Sequence, residues 1–355
     1  SIDTILQFAE AKNEGQIDRL LVMGCLSHRY KDELKLEIPE VDNWYGTMDM
    51  PSVLADLKAD YKKELIGERL ITTPSHFAYL KIAEGCNRTC SFCAIPLMRG
   101  KHISRTIESL VHEAQFLADR GVKELMLIAQ ELTYYGLDIY KKRRLPDLLH
   151  ELSKINGIEW IRLHYAYPSK FPLEILDAIN ASDKVCKYLD MPLQHASDNM
   201  LLAMKRQITK KETTDLIQTI RAKVPNISLR TTMLVGFPGE TERDFEELCD
   251  YVQEIRFDRL GVFTYSHEED TAAFALDDSI PESLKIERQN RLMEIQRDVS
   301  NLKNQGKIGQ IVKVIIDRKE AGRWVGRSEA DSPEVDQEIH INTNRLKLPK
   351  QPIMI

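Results

Sequence analysis

The stretch Glu84-Gly85-Cys86-Asn87-Arg88-Thr89-Cys90-Ser91-Phe92-Cys93-Ala94 sets three cysteines at the spacing C-x3-C-x2-C, directly behind the apolar run Phe77-Ala-Tyr-Leu-Lys-Ile-Ala83. An apolar run of that length reads as a buried strand. Three soft thiolates so close together at its exit fit a loop wrapped round one metal centre. The number of ligands says more than their spacing. A structural zinc or an electron-transfer cluster takes four protein ligands, whereas three cysteines on an iron–sulfur cube leave one iron free to bind something else. The alternative is a zinc knuckle with His76 or His102 as fourth ligand.

Downstream the pattern alternates strand and helix as far as about Asn304. A helix capped by Ser104 carries Ile107, Leu110, Val111, Ala114, Leu117 and Ala118 on one face and closes at Gly121. Strand 124–129, a helix opening at Pro146, strand 159–164, a helix near Pro172 and strand 187–190 follow. Two helical stretches reach Lys223, and then come strand 227–235, helix 242–255 and strand 258–265. With the strand before the cysteines this makes six, each followed by polar or special residues at its C-terminal end, where barrel enzymes assemble their sites. Six repeats fall short of the eight of a closed barrel. A helix from about Pro281 to Lys303 leads out of the unit.

Upstream, Ile2, Ile5, Leu6 and Ala9 recur at the helical interval, and the chain opens on Ser1 as though partway into a domain. Strands at 19–24 and 41–45 and a helix at 51–61 give residues 1–68 the look of the rear portion of an α/β domain with a parallel sheet. Residues 62–75 read as a linker. The core spans 76–304. Residues 306–355 change to the strand period at Gln310-Ile-Val-Lys-Val-Ile-Ile-Asp317, Arg323-Trp-Val-Gly-Arg327 and Glu338-Ile-His-Ile341, with turns at Ala321-Gly and Ser332-Pro, which predicts a small β-barrel.

Bulk composition excludes some classes of function. A net charge of −6 gives the whole chain no electrostatic footprint for nucleic acid. No apolar stretch has the length of a membrane span, so no membrane partner is expected. Six cysteines, three of them clustered, suit a reducing compartment, and the expected location is the cytoplasm. Cys186 and Cys249 read as buried structural thiols.

The cysteine motif, with the aromatic Phe92 before its last cysteine, resembles the radical S-adenosylmethionine (SAM) enzymes. That resemblance implies an α/β fold, a partial (βα)6 TIM-like barrel. It also implies a 4Fe-4S cluster on Cys86, Cys90 and Cys93 whose free iron chelates the amino and carboxylate groups of SAM, with Phe92 beside the adenine. Ala129-Gln130-Glu131 stands where the family commonly carries Gly-Gly-Glu. The resemblance assigns Glu131, and Gln130 beside it, to the methionine amino group, although two glycines are replaced and a strand-end glutamate is equally a solvated loop residue. Thr231-Thr-Met-Leu-Val-Gly236-Phe-Pro-Gly239-Glu-Thr resembles the adenine-contacting strand, with Gly236 and Gly239 permitting close backbone approach; by itself it is a strand-to-helix turn. Arg230 is assigned to the cofactor carboxylate or, alternatively, to the surface. The implied chemistry is reductive cleavage of SAM and hydrogen abstraction from an unactivated carbon, with an external electron donor.

The order α/β fragment, radical SAM core, small β-barrel resembles the methylthiotransferases, the last unit being similar to the TRAM module. Within that family, Ile95-Pro-Leu-Met-Arg-Gly-Lys101, Gln130-Glu-Leu-Thr-Tyr-Tyr-Gly136, His164-Tyr-Ala-Tyr-Pro168, Tyr188-Leu-Asp-Met-Pro-Leu-Gln-His195 and Phe263-Thr-Tyr-Ser-His-Glu-Glu-Asp-Thr271 resemble the subgroup that modifies an aspartate of small-subunit ribosomal protein twelve, free or within the ribosomal subunit. The tRNA-adenosine subgroup is the alternative, and a zinc-stabilised RNA-binding protein the alternative of another class. The family carries a second 4Fe-4S cluster on three N-terminal cysteines, of which Cys25 matches the third; the other two would precede Ser1. On its own Cys25 reads as a buried thiol at a strand end. His195 and Gln194 read as positioners of the substrate aspartate or as a hydrogen-bonded structural pair.

Charge bears on the substrate. Glu268, Glu269, Asp270, Asp277 and Asp278 lie between His267 and Asp278 with no Lys or Arg, a local charge that repels RNA and attracts a basic protein. From Lys307 onward nine Lys or Arg face seven Asp or Glu, a thin surplus for gripping RNA.

Overall fold

The computed structural model describes residues 1–59 and 70–342. Helix α1 (Ile2–Asn13), strand β1 (Leu21–Met23), α2 (Cys25–Glu37), β2 (Asn43–Tyr45) and α3 (Met50–Asp56) form a small unit in which β1 and β2 pair in parallel. Ile5, Ala9, Leu20, Leu34, Val41 and Trp44 close its core. The helix expected over 51–61 ends at Asp56, and the linker expected over 62–75 lies partly outside the described residues.

Six parallel strands make the central sheet. In chain order they are β3 (Phe77–Lys81), β6 (Glu124–Ile128), β7 (Trp160–Leu163), β8 (Val185–Asp190), β9 (Ser228–Val235) and β10 (Arg259–Thr264), and each lies beside its predecessor. β3 and β10 are the two ends of the order, so the barrel is open. The short antiparallel pair β4 (Ala83–Glu84) and β5 (Ile103–Ser104) brackets the cysteine loop and helix α4 (Ile95–Arg99). Between the central strands run α5 (Ile107–Asp119), α6 (Leu137–Tyr140), α7 (Leu145–Ser153), α8 (Glu174–Asn180), α9 (Asp198–Ala203), α10 (Lys210–Lys223) and α11 (Glu242–Ile255), and α12 (Glu282–Gln305) leads out. The apolar faces read from the helical period meet the sheet in one core that includes Leu80, Leu110, Leu117, Leu125, Leu148 and Leu248.

The sequence misplaces one cap. Thr106, not Ser104, caps α5, its side chain accepting the Ser109 N–H at 3.2 Å. Ser104 is drawn into β5, where its N–H reaches Asp138 at 2.7 Å and its hydroxyl accepts the Gly136 N–H at 2.9 Å.

Strands β11 (Val314–Glu320), β12 (Arg323–Ser328) and β13 (Ile339–Ile341) form an antiparallel sheet. The remainder of the expected small barrel, 343–355, lies outside the described residues. This sheet and the segment behind it plug the barrel at the N-terminal ends of the strands. Arg162 and Glu124, both fully buried, pair at 2.7 Å, and Arg327 reaches the second Glu124 oxygen at 2.8 Å and Asp317 at 2.8 Å. His76 pairs with Asp317 at 2.7 Å, Arg259 with Asp331, and the Tyr188 hydroxyl donates to Asp336 at 2.8 Å. A barrel floor made of paired charges leaves the opposite, C-terminal mouth as the place for chemistry.

Candidate active site

At that mouth a cavity of about 600 Å³ is lined by Cys86, Cys90, Cys93, Phe92, Gln130 and Glu131, by the strand-end residues Tyr165, Tyr167 and Gln194, and by Thr232 and Leu234 of β9. The cysteine loop is held at both ends. Gly85 has φ +79°, and a side chain there would collide with the Lys101 carbonyl, so the chain can turn into the loop only as glycine. Cys86 N–H donates to the Gly100 carbonyl at 3.1 Å, and His102 N–H to the Asn87 side chain at 3.1 Å. Ser91 is the central staple: its N–H reaches the Met204 carbonyl at 3.1 Å, its hydroxyl reaches Ala203 at 2.8 Å, and its own carbonyl accepts the Ala273 N–H at 2.7 Å.

Burial pushes the Cys86 thiol up to about 11, and burial likewise raises Cys93. Sulfurs in that environment become thiolates when a cationic metal centre supplies the compensating charge. Of the two candidate fourth ligands for zinc, His76 is paired with Asp317, and His102 has Nε2 3.1 Å from the Ser104 hydroxyl and Nδ1 without a partner among the described residues. Among the described residues no three His, Cys, Asp or Glu side chains share a single-ion site.

Glu131 is buried and engaged on both oxygens. One accepts from the Thr133 N–H at 2.7 Å and from its hydroxyl at 2.6 Å; the other accepts from Arg88 at 2.9 Å. Its neighbour is differently placed. Gln130 Nε2 donates to Glu84 at 2.7 Å, which leaves the buried Oε1 without a partner among the described residues. A buried carbonyl oxygen without a donor, on a residue that lines the cavity, fits a ligand that brings one, as the amino group of SAM would. Phe92 packs with Met200, Met204, Leu234 and Phe237, presenting a flat apolar wall beside Cys93. The donor set and the walls therefore fit a cube on three thiolates with an amino-acid cofactor beside it.

Other expected residues lie elsewhere. Arg230 shares the inner face of β9 with Thr232 and Leu234 but sits deeper, paired with Asp190 at 3.2 Å and Asp336 at 3.4 Å, neither on the cavity wall nor on the surface. Gly236 and Gly239, both at positive φ, form the turn into α11, where a Cβ on Gly236 would meet the Lys285 side chain. His195 and Gln194 part company: Gln194 lines the cavity, whereas His195 Nδ1 accepts the Ser197 N–H at 3.0 Å and Nε2 faces Glu240 at 3.6 Å. Cys25 opens α2 and is half buried.

Sequence reading missed two arginines. Arg88, inside the cysteine motif, bonds its N–H to Cys86 Sγ at 3.4 Å and clamps Glu131. Arg206 bonds Cys90 Sγ at 3.2 Å. The first was visible as a cation between two cysteines of the motif; the second had no signal. The acidic loop is also less bare than its sequence: Glu268 is paired with Arg29 of α2 at 2.9 Å and Asp278 with Lys285 at 2.9 Å, leaving Glu269, Asp270 and Asp277 as exposed acids.

Residues 80–252 match the model of the Radical SAM superfamily, and residues 308–349 that of the TRAM domain. The chain is 58% identical to the ribosomal protein uS12 methylthiotransferase RimO of Cytophaga hutchinsonii, over 96% of this chain and 78% of that one. It is 56% identical to the RimO of Christiangramia forsetii over 98% and 77% of the two chains, and 55% identical to that of Bacteroides fragilis over 96% and 79%. Among solved structures, the cobalamin-dependent SAM radical enzyme OxsB with aqua-cobalamin bound superimposes with a TM-score of 0.53 at 12% identity, over 82% of this chain and 46% of that one, a likeness of fold.

Proposed function

The chain belongs to the ribosomal protein uS12 methylthiotransferases of the radical SAM superfamily, and from that membership we infer that it forms a carbon–sulfur bond on uS12, small-subunit ribosomal protein twelve. The observation that carries this reading is the joint presence, in the lining of one cavity, of the three cysteines and of Gln130, whose carbonyl oxygen has no partner among the described residues. When bound, a 4Fe-4S cluster and SAM would supply the radical chemistry that takes hydrogen from an unactivated carbon, here the β-carbon of an aspartate. The protein's part is placement. Cys86, Cys90 and Cys93 would hold the cluster, Gln130 would accept from the SAM amino group, and Phe92 would shield the adenine from water. Both Glu131 oxygens are filled, one by Thr133 and the other by Arg88 Nε at 3.2 Å and Nη2 at 2.9 Å, so its part is to hold Arg88 in place beside the cysteine loop.

Cys25 is assigned to a second 4Fe-4S cluster that carries the sulfur to be inserted. Its support is its position. Arg29, one helical turn further along α2, grips Glu268 on the loop whose Ala273 bonds Ser91 between the cluster cysteines. That ties the Cys25 helix to the rim of the cavity. The reaction requires an electron donor, and its setting is the cytoplasm, where uS12 is free or within the ribosomal subunit.

The exposed acids Glu269, Asp270 and Asp277 steer the basic substrate. Neutralising all three as Gln or Asn is expected to slow uS12 modification roughly threefold to tenfold at low salt and to converge with wild type once the Debye length falls to about 3 Å near 1 M. The check is the mass of uS12, with tRNA as the rival substrate, after anaerobic incubation with each protein. Equal rates at all salt concentrations contradict the steering, and modified tRNA with unmodified uS12 contradicts the substrate.

A further inference from the structure

Among the described residues six arginines are buried: Arg88, Arg162, Arg206, Arg259, Arg288 and Arg327. Five of them pair with a carboxylate, in turn Glu131, Glu124, Asp331, Glu240 and, for Arg327, Glu124 with Asp317. Arg206 is the exception among the described residues. At 4% exposure, its guanidinium bonds Cys90 Sγ at 3.2 Å and the Pro192 carbonyl, and lies 4.3 Å over the Tyr167 ring, while its Nε is buried without a partner among the described residues. Arginine cannot shed its proton. A buried guanidinium with no counterion is costly unless the site supplies negative charge.

The sulfur it faces supplies that charge when Cys90 is a cluster ligand. Three thiolates on a cube with a doubly positive core carry one net negative charge, and a second arrives with the reducing electron. A fixed cation at this distance stabilises the reduced state more than the oxidised one. Arg88, on the other face of Tyr167 at 3.9 Å, is already neutralised by Glu131. The Tyr167 hydroxyl donates to the Arg206 carbonyl at 2.8 Å and lies 3.7 Å from Cys90 Sγ, so it locks the arginine in place.

We propose that Arg206, acting through Cys90, raises the reduction potential of the cluster and so makes the first electron easier to deliver. The proposal rests on the reading of Cys86, Cys90 and Cys93 as cluster ligands. It is tested on the full chain with an anaerobically reconstituted cluster, by potentiometric titration followed through the visible and paramagnetic signals of the reduced state. Arg206→Gln is expected to lower the reduced-to-oxidised ratio at a fixed potential about tenfold, a downward shift of about 59 mV for a one-electron couple. Arg206→Lys, which keeps the charge, is expected to retain most of the wild-type potential. An unshifted Arg206→Gln, or a lysine variant that falls as far as glutamine, overturns the proposal. Should Arg206→Gln take up no iron, Tyr167→Phe gives the answer: a smaller downward shift supports the lock, and an unchanged potential overturns it. A wild-type chain that takes up zinc and no iron–sulfur chromophore overturns the cluster reading itself, whereas a wild-type cluster indifferent to Arg206 overturns this inference alone.

Discussion

Replacing Cys93 with alanine is expected to give a folded chain that takes up no stable 4Fe-4S cluster and forms no 5′-deoxyadenosine from SAM. Loss of an outer partner of a metal ligand costs about 10- to 100-fold in metal affinity, so loss of a ligand itself costs more than ~100-fold. Folding survives because the loop is held by Ser91, by the Cys86 N–H and by His102, none of which needs the Cys93 sulfur. Cys249→Ala is the matched control. That thiol is buried in α11 and is absent from the cavity lining, so its loss should leave iron content unchanged. Iron analysis and chromatography of the nucleoside product check both variants; a Cys93→Ala protein with wild-type iron and product contradicts the ligand assignment.

The second large effect is on stability, at the other end of the barrel. Glu124→Ala is expected to cost about 3–5 kcal/mol, because it strands the fully buried Arg162 without a carboxylate and leaves the buried Arg327 with Asp317 alone. By contrast Glu268→Ala breaks a pair whose carboxylate is 43% exposed, and the expected loss is about 0–1 kcal/mol. The difference between the two in urea unfolding is the measurement; similar midpoints contradict the account of the floor.

The same network sets an acid limit. Burial alone would raise Glu124, but the charges of Arg162 and Arg327 outweigh it and hold its carboxyl below the usual range; burial also opposes ionisation of Asp317, and hydrogen bonds from His76 and Arg327 outweigh it. A carboxyl depressed in the folded state contributes its full stability above the unfolded pKa, about 4, and loses it as pH falls through the folded value. Wild-type stability should therefore fall steeply below about pH 4, and Glu124→Ala should flatten that slope.

What was legible in the sequence follows from range. The six strands and the helices between them are written in local periodicity, and α11 begins and ends where its pattern does, Glu242–Ile255. The cysteine loop is contiguous, so the three thiols proposed as cluster ligands stand together in the sequence. The floor of the barrel was not legible, because Arg162 meets Glu124 across 38 residues and Arg259 meets Asp331 across 72. Nothing near either residue signals the pairing. The same limit explains the acidic loop: Arg29 is 239 residues from Glu268, so a run that reads as five bare charges is partly neutralised in the fold. At Arg230 and Gly236 the strand and turn were legible, but depth along the strand was not. Two residues along β9 separate the cavity wall at Thr232 from the paired charges at Arg230.

The central claim is that the three thiolates leave one iron of a cube open to SAM. Mössbauer spectroscopy of the reconstituted full chain, recorded with and without SAM, addresses it directly. The account predicts that one iron changes its signature on addition of SAM while the other three stay as they were. Four irons unaffected by SAM, or a site already closed by a fourth side chain, would contradict it.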